Sequence, residues 1–236
     1  MSLPPNLNQE NKLKLQGYEL IAGIDEAGRG ALAGPVVAGA VILPYSSYPS
    51  WFKLVRDSKA ISPKKREFFF HLIQREALAV GIGVVLPQVI DAINILKATQ
   101  MAMEQAVEKL PRQPHFLLID RLALPRCHIA QKGITKGDKL CLSIACASIV
   151  AKVTRDHIME ELDKIYPGYG FAKHKGYGTK QHISSLRQLG PSPVHRLSFA
   201  PVRDASQQRI SSPLMNEEMR NPKHEMLNNI KVQNSS

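Results

Sequence analysis

Two adjacent carboxylates, Asp25 and Glu26, follow an apolar run and lead into a glycine, an arginine and a glycine. Carboxylate oxygens are the hard ligands that Mg²⁺ and Mn²⁺ prefer. Gly28 and Gly30 have no Cβ atom to keep a ligand away from the backbone, and the guanidinium of Arg29 matches the geometry of a phosphate. This stretch therefore predicts metal-dependent chemistry beside a phosphodiester.

Two further acids could complete such a site. Asp120 ends the apolar run 116–119, which is how a central strand of an α/β sheet presents a catalytic acid, and Asp138 precedes a long helical pattern. Two divalent ions about 4 Å apart can activate a water and stabilise the leaving oxygen of a phosphodiester. We predict that Asp25 bridges both ions, that Glu26 and Asp138 each bind one, and that Asp120 binds a shared or second ion.

A simpler interpretation exists for each of these residues. Asp25 and Glu26 could be solvated loop charges, and their spacing from the glycines fits neither a dinucleotide-binding fingerprint nor a Walker loop. Asp138 could be an ordinary turn residue or helix cap. Judged alone, these residues leave both interpretations open.

The distribution of charge indicates a polyanionic partner. The 236 residues carry a formal net charge of +11, and residues 204–236 hold four basic and four acidic side chains, so the whole excess lies in residues 1–203. Clustered basic residues favour nucleic acid because binding releases counterions from the phosphates. Solubility alone is the alternative explanation for the charge.

A segment rich in glycine, at residues 167–180, places aromatic rings among basic side chains. Tyr177, with His174 and Lys175 nearby, suits stacking on sugars or bases between phosphate contacts. A glycine-rich loop without a binding role would have the same composition. The segment is thus a candidate nucleic-acid contact.

The three cysteines, Cys127, Cys141 and Cys146, match no zinc-binding spacing, which favours reduced thiols in a cytosolic protein. No run approaches the roughly 20 apolar residues of a membrane span. The N-terminus lacks the apolar core of a signal peptide. We therefore expect a soluble cytoplasmic protein that does not associate with membranes.

The apolar patterns predict alternating strands and helices. We predict strands at 18–24, 35–43, 80–86 and 116–120, and helices at 63–78, 88–110 and 140–165. Asp25 and Glu26 then lie at the end of the first strand, where only a local distortion would turn both side chains towards one cation. Small side chains in the last helix would let it lie close to the sheet, with Lys152, Arg155 and Asp156 at its exposed end. We expect one domain at 18–203, a flexible segment at 1–17 and a disordered or loosely attached tail at 204–236.

Residues 23–36 closely resemble the signature of bacterial ribonuclease HII, the type 2 ribonuclease H. Further matching segments follow in the same order at residues 57–59, 136–138, 147–156, 174–179 and 195–199, together with the strand that ends at Asp120. The resemblance covers about residues 18–203. It implies a ribonuclease H-like α/β fold, with a mixed five-stranded sheet flanked by helices and a helical C-terminal part that grips the duplex.

The resemblance also implies an activity and its cofactors. The family's enzymes are endonucleases that cut RNA in RNA/DNA hybrids and nick duplex DNA on the 5′ side of an embedded ribonucleotide, leaving 3′-hydroxyl and 5′-phosphate ends. They use Mn²⁺ or Mg²⁺, with two ions expected when substrate is bound. We accordingly expect a monomer that acts on hybrids and on DNA containing ribonucleotides, with a role in removing ribonucleotides from DNA.

Particular residues fall on the family's functional positions. Asp25, Glu26, Asp120 and Asp138 match its four acids, and Gly28, Arg29 and Gly30 match the turn that reads the ribose 2′-hydroxyl and adjacent phosphates. Tyr177 matches the tyrosine that packs on the deoxyribose at the RNA-to-DNA junction. Lys59, Lys152, His174 and Lys175 lie in matching segments and are predicted as further substrate-binding residues.

One position departs from the family's pattern. The family usually has glycine after the aspartate that matches Asp120, whereas this chain has Arg121. The loop must therefore take another path or add a phosphate contact. Two alternatives to a ribonuclease H remain: another two-metal nuclease or strand-transfer enzyme of the same fold, and a non-enzymatic nucleic-acid-binding module in which the acids are structural.

Overall fold

The computed structural model describes residues 4–45, 49–55, 58 and 61–210, with side chains up to residue 207. A mixed five-stranded sheet forms its centre, in the order β3-β2-β1-β4-β5. β1, β2 and β3 pair in antiparallel fashion, whereas β4 and β5 run parallel to β1. The strands are β1 (Ile21–Ala27), β2 (Val36–Ile42), β3 (Ala79–Val85), β4 (Phe116–Asp120) and β5 (Ala130–Ile134). The predicted fold class is confirmed.

Helices cover both faces of this sheet. The described residues form α1 (Asn8–Leu15), α2 (Pro63–Glu76), α3 (Pro87–Ile93), α4 (Ile95–Glu108), α5 (Gly137–Leu140), α6 (Leu142–Ile165), α7 (Phe171–His174), α8 (Lys180–Leu189) and α9 (Ala200–Ile210), with a short 3₁₀ turn at Ser50–Leu54. α4 packs on one face, and α6, with α2 beside it, packs on the other. Within this part of the chain no helix combines the length and apolar composition needed to cross a bilayer.

α6 lies close to the sheet because two strand glycines face it. A Cβ atom on Gly23 would lie 2.1 Å from the carbonyl carbon of Ser143, and one on Gly39 would lie 2.6 Å from the carbonyl oxygen of Ala147. Both distances are far shorter than a van der Waals contact. The small residues of α6 and these glycines therefore bring the helix backbone directly against β1 and β2, as the sequence predicts.

The apolar patterns predict neither β5 nor α8, and two of the elements that they do predict differ from the structure. The helical pattern over 88–110 is broken at Asn94, whose φ is +69° and whose side chain accepts hydrogen bonds from the backbone N–H groups of Leu96 and Lys97. One apolar stripe thus continues across two helices, α3 and α4. The first strand also runs further than predicted, because β1 ends at Ala27 and includes both Asp25 and Glu26.

Part of the N-terminal segment that is predicted to be flexible forms a helix in the structure. Residues 8–15 form α1, which buries Leu13 and the carboxylate of Glu10. Oε1 of Glu10 accepts hydrogen bonds from the backbone N–H and the hydroxyl of Ser143, at 3.0 and 2.7 Å, and so caps the first turn of α6. Sequence patterns miss this helix because its buried contacts are few and one of them is a charged residue.

The C-terminal boundary also moves. α9 extends to Ile210, and Val202 and Ala205 are buried against Leu186 of α8. Residues 204–210 thus continue a helix that begins inside the predicted domain. The predicted tail over 211–236 otherwise lies outside the described residues.

A chain of neutral histidines joins the segments of the C-terminal part. The backbone N–H of Ser192 donates to Nδ1 of His195 at 2.9 Å, which leaves the proton of His195 on Nε2. That N–H donates to Nε2 of His182 at 3.1 Å, and Nδ1 of His182 donates to the carbonyl oxygen of Tyr177 at 3.0 Å. Burial lowers the pKa of His182 to about 4 and that of His195 to about 3. Each ring is thus neutral and occupies a fixed tautomer.

We expect Gly39→Ala to lower the free energy of unfolding by about 1–3 kcal/mol, because the added methyl group meets the backbone of α6. Gly30→Ala is the matched control, since a Cβ atom there has nothing within 4 Å. Urea unfolding of both variants measures the difference. Equal stabilities would contradict the close packing of α6 on the sheet.

We expect the histidine chain to make stability depend on pH. Because the folded-state pKa values of His182 and His195 lie below the value of about 6.5 for an unfolded histidine, their contribution is complete above that pH and is lost as the pH falls towards 4. Each such group contributes a slope of up to about 1.4 kcal/mol per pH unit. Unfolding titrations from pH 7 to 4 should give a shallower slope for His195→Gln than for the wild type, whereas the exposed control His128→Gln should keep the wild-type slope.

Candidate active site

Three predicted acids meet where β1 and β4 end. The parallel pairing of these strands stops at Ile24 and Ile119, so Asp25 and Asp120 follow at the same edge of the sheet. Asp25, Glu26 and Asp120, the acidic cluster, each place a carboxylate oxygen within 4.8 Å of the others. Asp25 and Glu26 keep their pairing with β2 in regular register. The side chains converge without the strand distortion that the sequence suggests.

The acidic cluster concentrates negative charge in a buried place. Asp25 is 4% exposed, and burial, reinforced by the charges of Glu26 and Asp120, raises its pKa well above the usual value. Burial also raises the pKa of Glu26, although Arg29 opposes the shift with Nη1 3.3 Å from Oε1. The positive charge of Arg29 thus offsets the effect of burial on Glu26 only in part.

The donor set fits a divalent cation. Oε2 of Glu26 is buried and has no hydrogen-bond partner among the described residues. A buried carboxylate oxygen without a donor is costly unless a cation binds it. Hard oxygen ligands from three acids suit Mg²⁺ or Mn²⁺ and do not suit a thiophilic metal.

Asp138 stands next to this group without belonging to it. It is buried in α5, and its carboxylate oxygens do not lie within 4.8 Å of all three clustered acids. Oδ1 of Asp120 accepts a hydrogen bond of 2.7 Å from the backbone N–H of Gly137. The fold thus attaches α5 to the cluster through Asp120 and holds Asp138 one residue from that contact.

A serine pair extends the site into α6, which sequence reasoning missed. The hydroxyl of Ser148 lies close enough to the Asp25 carboxylate to favour its charged form. Oγ of Ser148 lies 2.8 Å from Oγ of Ser58, and both serines are buried. The one available signal was that Ser58 and Ser148 both fall in segments resembling the family.

Arg121 occupies a left-handed backbone conformation directly after Asp120. Its φ is +61°, a value that glycine adopts freely and that costs other residues about 1–3 kcal/mol. Arg121 therefore keeps a conformation that glycine would also adopt, and its side chain is exposed. Lys136, which precedes Gly137, is left-handed as well, with φ +59°.

The glycine turn, residues 28–30, lies beside the acidic cluster. Gly28 has a φ of +95°, and a Cβ atom there would lie 2.0 Å from Nε of Arg155. Gly30 is exposed and has open space around it. The Arg29 side chain is 36% exposed. The turn is therefore accessible to solvent at Arg29 and Gly30, whereas Gly28 is buried against Arg155.

Tyr177 lies next to the glycine turn. The Tyr177 loop, residues 175–179, forms an antiparallel bridge with the chain after the turn, between Ala31 and Tyr177. The ring is 38% exposed and lies 5.3 Å from the guanidinium carbon of Arg155. Arg155, which the helical pattern places at an exposed end of α6, is in fact completely buried.

The other predicted substrate contacts that lie in the described residues are Lys152, His174 and Lys175, and none of these is a free cation. Nζ of Lys152 pairs with Asp156 at 2.6 Å, and Nζ of Lys175 pairs with Glu160 at the same distance. His174 is buried, with Nε2 bonded to the carbonyl oxygen of Tyr169 and Nδ1 accepting from the N–H of Gly176. Both ring nitrogens are occupied, so the ring supports the loop and does not face a substrate. Lys59 lies outside the described residues.

Comparison with known proteins agrees with this geometry. The family model "Ribonuclease HII" matches residues 22–202. The chain is 55% identical over 199 residues to Ribonuclease HII of Dehalococcoides mccartyi strain BAV1, covering 84% of this chain and 94% of that one. It is 54% identical over 196 residues to Ribonuclease HII of Geobacter sulfurreducens, covering 83% and 88%.

A solved structure supports the fold. The ribonuclease H2 of Pyrococcus horikoshii superposes with a TM-score of 0.68 at 24% identity, covering 82% of this chain and all of that one. The family model and the curated relatives span the acidic cluster, the glycine turn and Tyr177. The chain therefore belongs to the ribonuclease HII family and is an endonuclease of the ribonuclease H class.

Proposed function

We propose that this chain is a metal-dependent endonuclease that cuts the RNA strand of RNA/DNA hybrids and nicks duplex DNA 5′ of a single embedded ribonucleotide. The products carry 3′-hydroxyl and 5′-phosphate ends, and the proposed role is the removal of ribonucleotides from DNA by a cytoplasmic monomer. One observation carries the proposal: a partly buried acidic cluster with an unpartnered oxygen lies beside a glycine turn, and the chain after this turn is bridged to an exposed tyrosine.

The acidic cluster is the proposed metal site. Asp25, Glu26 and Asp120 would hold Mg²⁺ or Mn²⁺, and Asp138 is proposed as a fourth ligand for a second ion when substrate is bound. Such cations supply positive charge that activates water and stabilises the leaving oxygen of a phosphodiester. The Ser148 hydroxyl and the Gly137 N–H hold Asp25 and Asp120 in place. The chain itself thereby fixes the negative charge before any substrate arrives.

The glycine turn and Tyr177 form the proposed sensor for a ribonucleotide. Residues 28–30 would read a ribose 2′-hydroxyl, the group that distinguishes RNA from DNA. The exposed backbone at Gly30 has open space in front of it, and Gly28, packed against Arg155, would fix the course of the turn. Arg29 would contact the adjacent phosphate, and the exposed ring of Tyr177 would pack on the neighbouring deoxyribose. A nuclease of the same fold without a 2′-hydroxyl sensor would not require this pair of surfaces.

The remaining basic residues have supporting roles in the proposal. Lys152 and Lys175 would contact phosphates by exchanging their carboxylate partners, Asp156 and Glu160, for the substrate backbone. Lys59 stays a predicted phosphate contact. Arg121 is exposed next to Asp120, at the position where the family usually has glycine, and is a further candidate phosphate contact.

We expect Asp120→Asn to reduce cleavage by about 100-fold or more while duplex binding is retained, because the substitution removes a metal ligand and reduces repulsion of the phosphates. Calorimetry with Mn²⁺ and no nucleic acid should show that Asp120→Asn binds the ion more weakly than the wild type does. Asp204→Asn, an exposed acid of α9, is the control and should match the wild type in both measurements. Full activity of Asp120→Asn would remove Asp120 from the metal site, and an absence of cleavage by the wild type with either metal would favour a binding module.

We expect the wild type to nick a duplex containing one ribonucleotide and to leave the all-DNA duplex of the same sequence intact. Arg29→Ala should lower the rate and reduce the preference for the ribonucleotide, since the phosphate next to the 2′-hydroxyl loses its charged contact. Gel analysis of both duplexes, with each metal and with EDTA, gives the ratio of rates. Cleavage of both duplexes at similar rates would favour a two-metal nuclease without ribonucleotide specificity.

A further inference from the structure

Two arginines, Arg155 of α6 and Arg196 after α8, are completely buried. In the described part of the chain neither forms an ion pair with an acidic side chain. Burial lowers the pKa of both groups, yet a guanidinium starts from so high a pKa that it keeps its charge at neutral pH. An unpaired buried charge costs several kcal/mol, so its hydrogen bonds must serve the structure around it.

Arg155 forms hydrogen bonds with both walls of the proposed sensor, which are the glycine turn with the chain that follows it and the Tyr177 loop. Its Nε donates to the carbonyl oxygen of Pro35 at 2.9 Å, and Nη2 donates to that of Ala33 at 3.1 Å. Nη1 donates to the carbonyl oxygen of Lys175 at 2.9 Å, and the guanidinium lies beneath the ring of Tyr177. One planar group therefore joins the segment after the glycine turn to the Tyr177 loop.

Arg196 bonds to the glycine-turn side alone. Its Nε and Nη2 both donate to the carbonyl oxygen of Gly34, at 3.1 and 2.9 Å, and Nη1 donates to that of Arg29 at 2.9 Å. Its guanidinium also lies 5.2 Å from the centre of the Phe199 ring. The side-chain hydrogen bonds of Arg196 thus all go to the glycine-turn side.

We propose that Arg155 is a positioning residue that sets the spacing between the glycine turn and Tyr177, and thereby the preference for a ribonucleotide followed by a deoxyribonucleotide. This inference rests on the proposed function of those two surfaces. A single-ribonucleotide duplex can place its ribose at the glycine turn and the next deoxyribose at Tyr177 in one position only. Its cleavage therefore depends on the spacing between these two surfaces. In a continuous RNA strand every sugar carries a 2′-hydroxyl, so Tyr177 meets no deoxyribose and the spacing matters less.

The experiment compares Arg155→Lys and Arg196→Lys with the wild type on two substrates, the single-ribonucleotide duplex and a continuous RNA/DNA hybrid. Lysine keeps the charge but cannot reproduce the three directed hydrogen bonds. Arg155→Lys should lower the ratio of kcat/KM for the single ribonucleotide over that for the hybrid by about 10-fold or more. Arg196→Lys should lower both values together, and the exposed control Arg112→Lys should change neither.

A double-mutant cycle tests whether Arg155 acts through Tyr177. If it does, the ratio of kcat/KM for the single ribonucleotide over that for the hybrid should be no lower in the variant carrying both Arg155→Lys and Tyr177→Ala than in Tyr177→Ala alone. Additive losses would overturn the positioning role. If Arg155→Lys lowers the unfolding midpoint below the assay temperature, Arg155→Met replaces it, since it removes the buried charge and keeps much of the volume.

Hydrogen exchange supplies a readout that does not depend on activity. The backbone N–H of Leu32 donates to the carbonyl oxygen of Gly176 at 2.8 Å, which gives a protected amide between the two walls. Arg155→Lys should speed exchange in residues 28–35 and in 175–179, whereas Arg196→Lys should speed it in 28–35 alone. Unchanged exchange at 175–179 in Arg155→Lys would overturn the inference even if the wild type proved to cleave neither substrate, and that inactivity would count against the proposed function alone.

Discussion

Mutual repulsion among three carboxylates is the constraint on which the rest of this structure depends. Asp25, Glu26 and Asp120 lie within 4.8 Å of one another in a largely buried place, and burial raises the pKa of the first two. Such an arrangement is unfavourable unless rigid surroundings impose it. The sheet provides them, because the parallel pairing of β1 and β4 brings Asp25 and Asp120 to one edge, and the regular pairing of β1 with β2 continues through Asp25 and Glu26.

α6 links this acidic cluster to the glycine turn. Ser148 and Arg155 are seven residues apart, so they lie two turns apart on one helix face. Ser148 approaches the carboxylate of Asp25, and Arg155 supports the backbone beside the glycine turn. The close packing of α6 at Gly23 and Gly39 therefore does more than fill the core. It brings one rigid helix into contact with both the acidic cluster and the chain after the glycine turn, so a shift of the helix would disturb both.

The sequence predicts the components of this site better than their arrangement. Asp25 and Asp120 could be found because a carboxylate at the end of an apolar strand is a local pattern, and the mixed sheet followed from the resemblance. The burial of Arg155 could not be found, because a basic residue near a helix end normally faces solvent, and its carbonyl partners at Ala33, Pro35 and Lys175 are 20 or more residues away in sequence. Helix α1 was missed for a similar reason, since its burial depends on a distant serine.

The conformational irregularities of the chain gather near the same site. Three of the four non-glycine residues with positive φ in the described ranges are Arg121, Lys136 and Lys175, and each is basic. Arg121 directly follows Asp120, Lys136 lies two residues before Asp138, and Lys175 belongs to the Tyr177 loop. Strained backbone persists only where surrounding contacts over-determine it. Here strained backbone, buried acids and buried arginines occur together, and each of them lowers the stability of the fold. In return the arrangement of charge is fixed, so a phosphodiester and its cations can bind with little reorganisation of the protein.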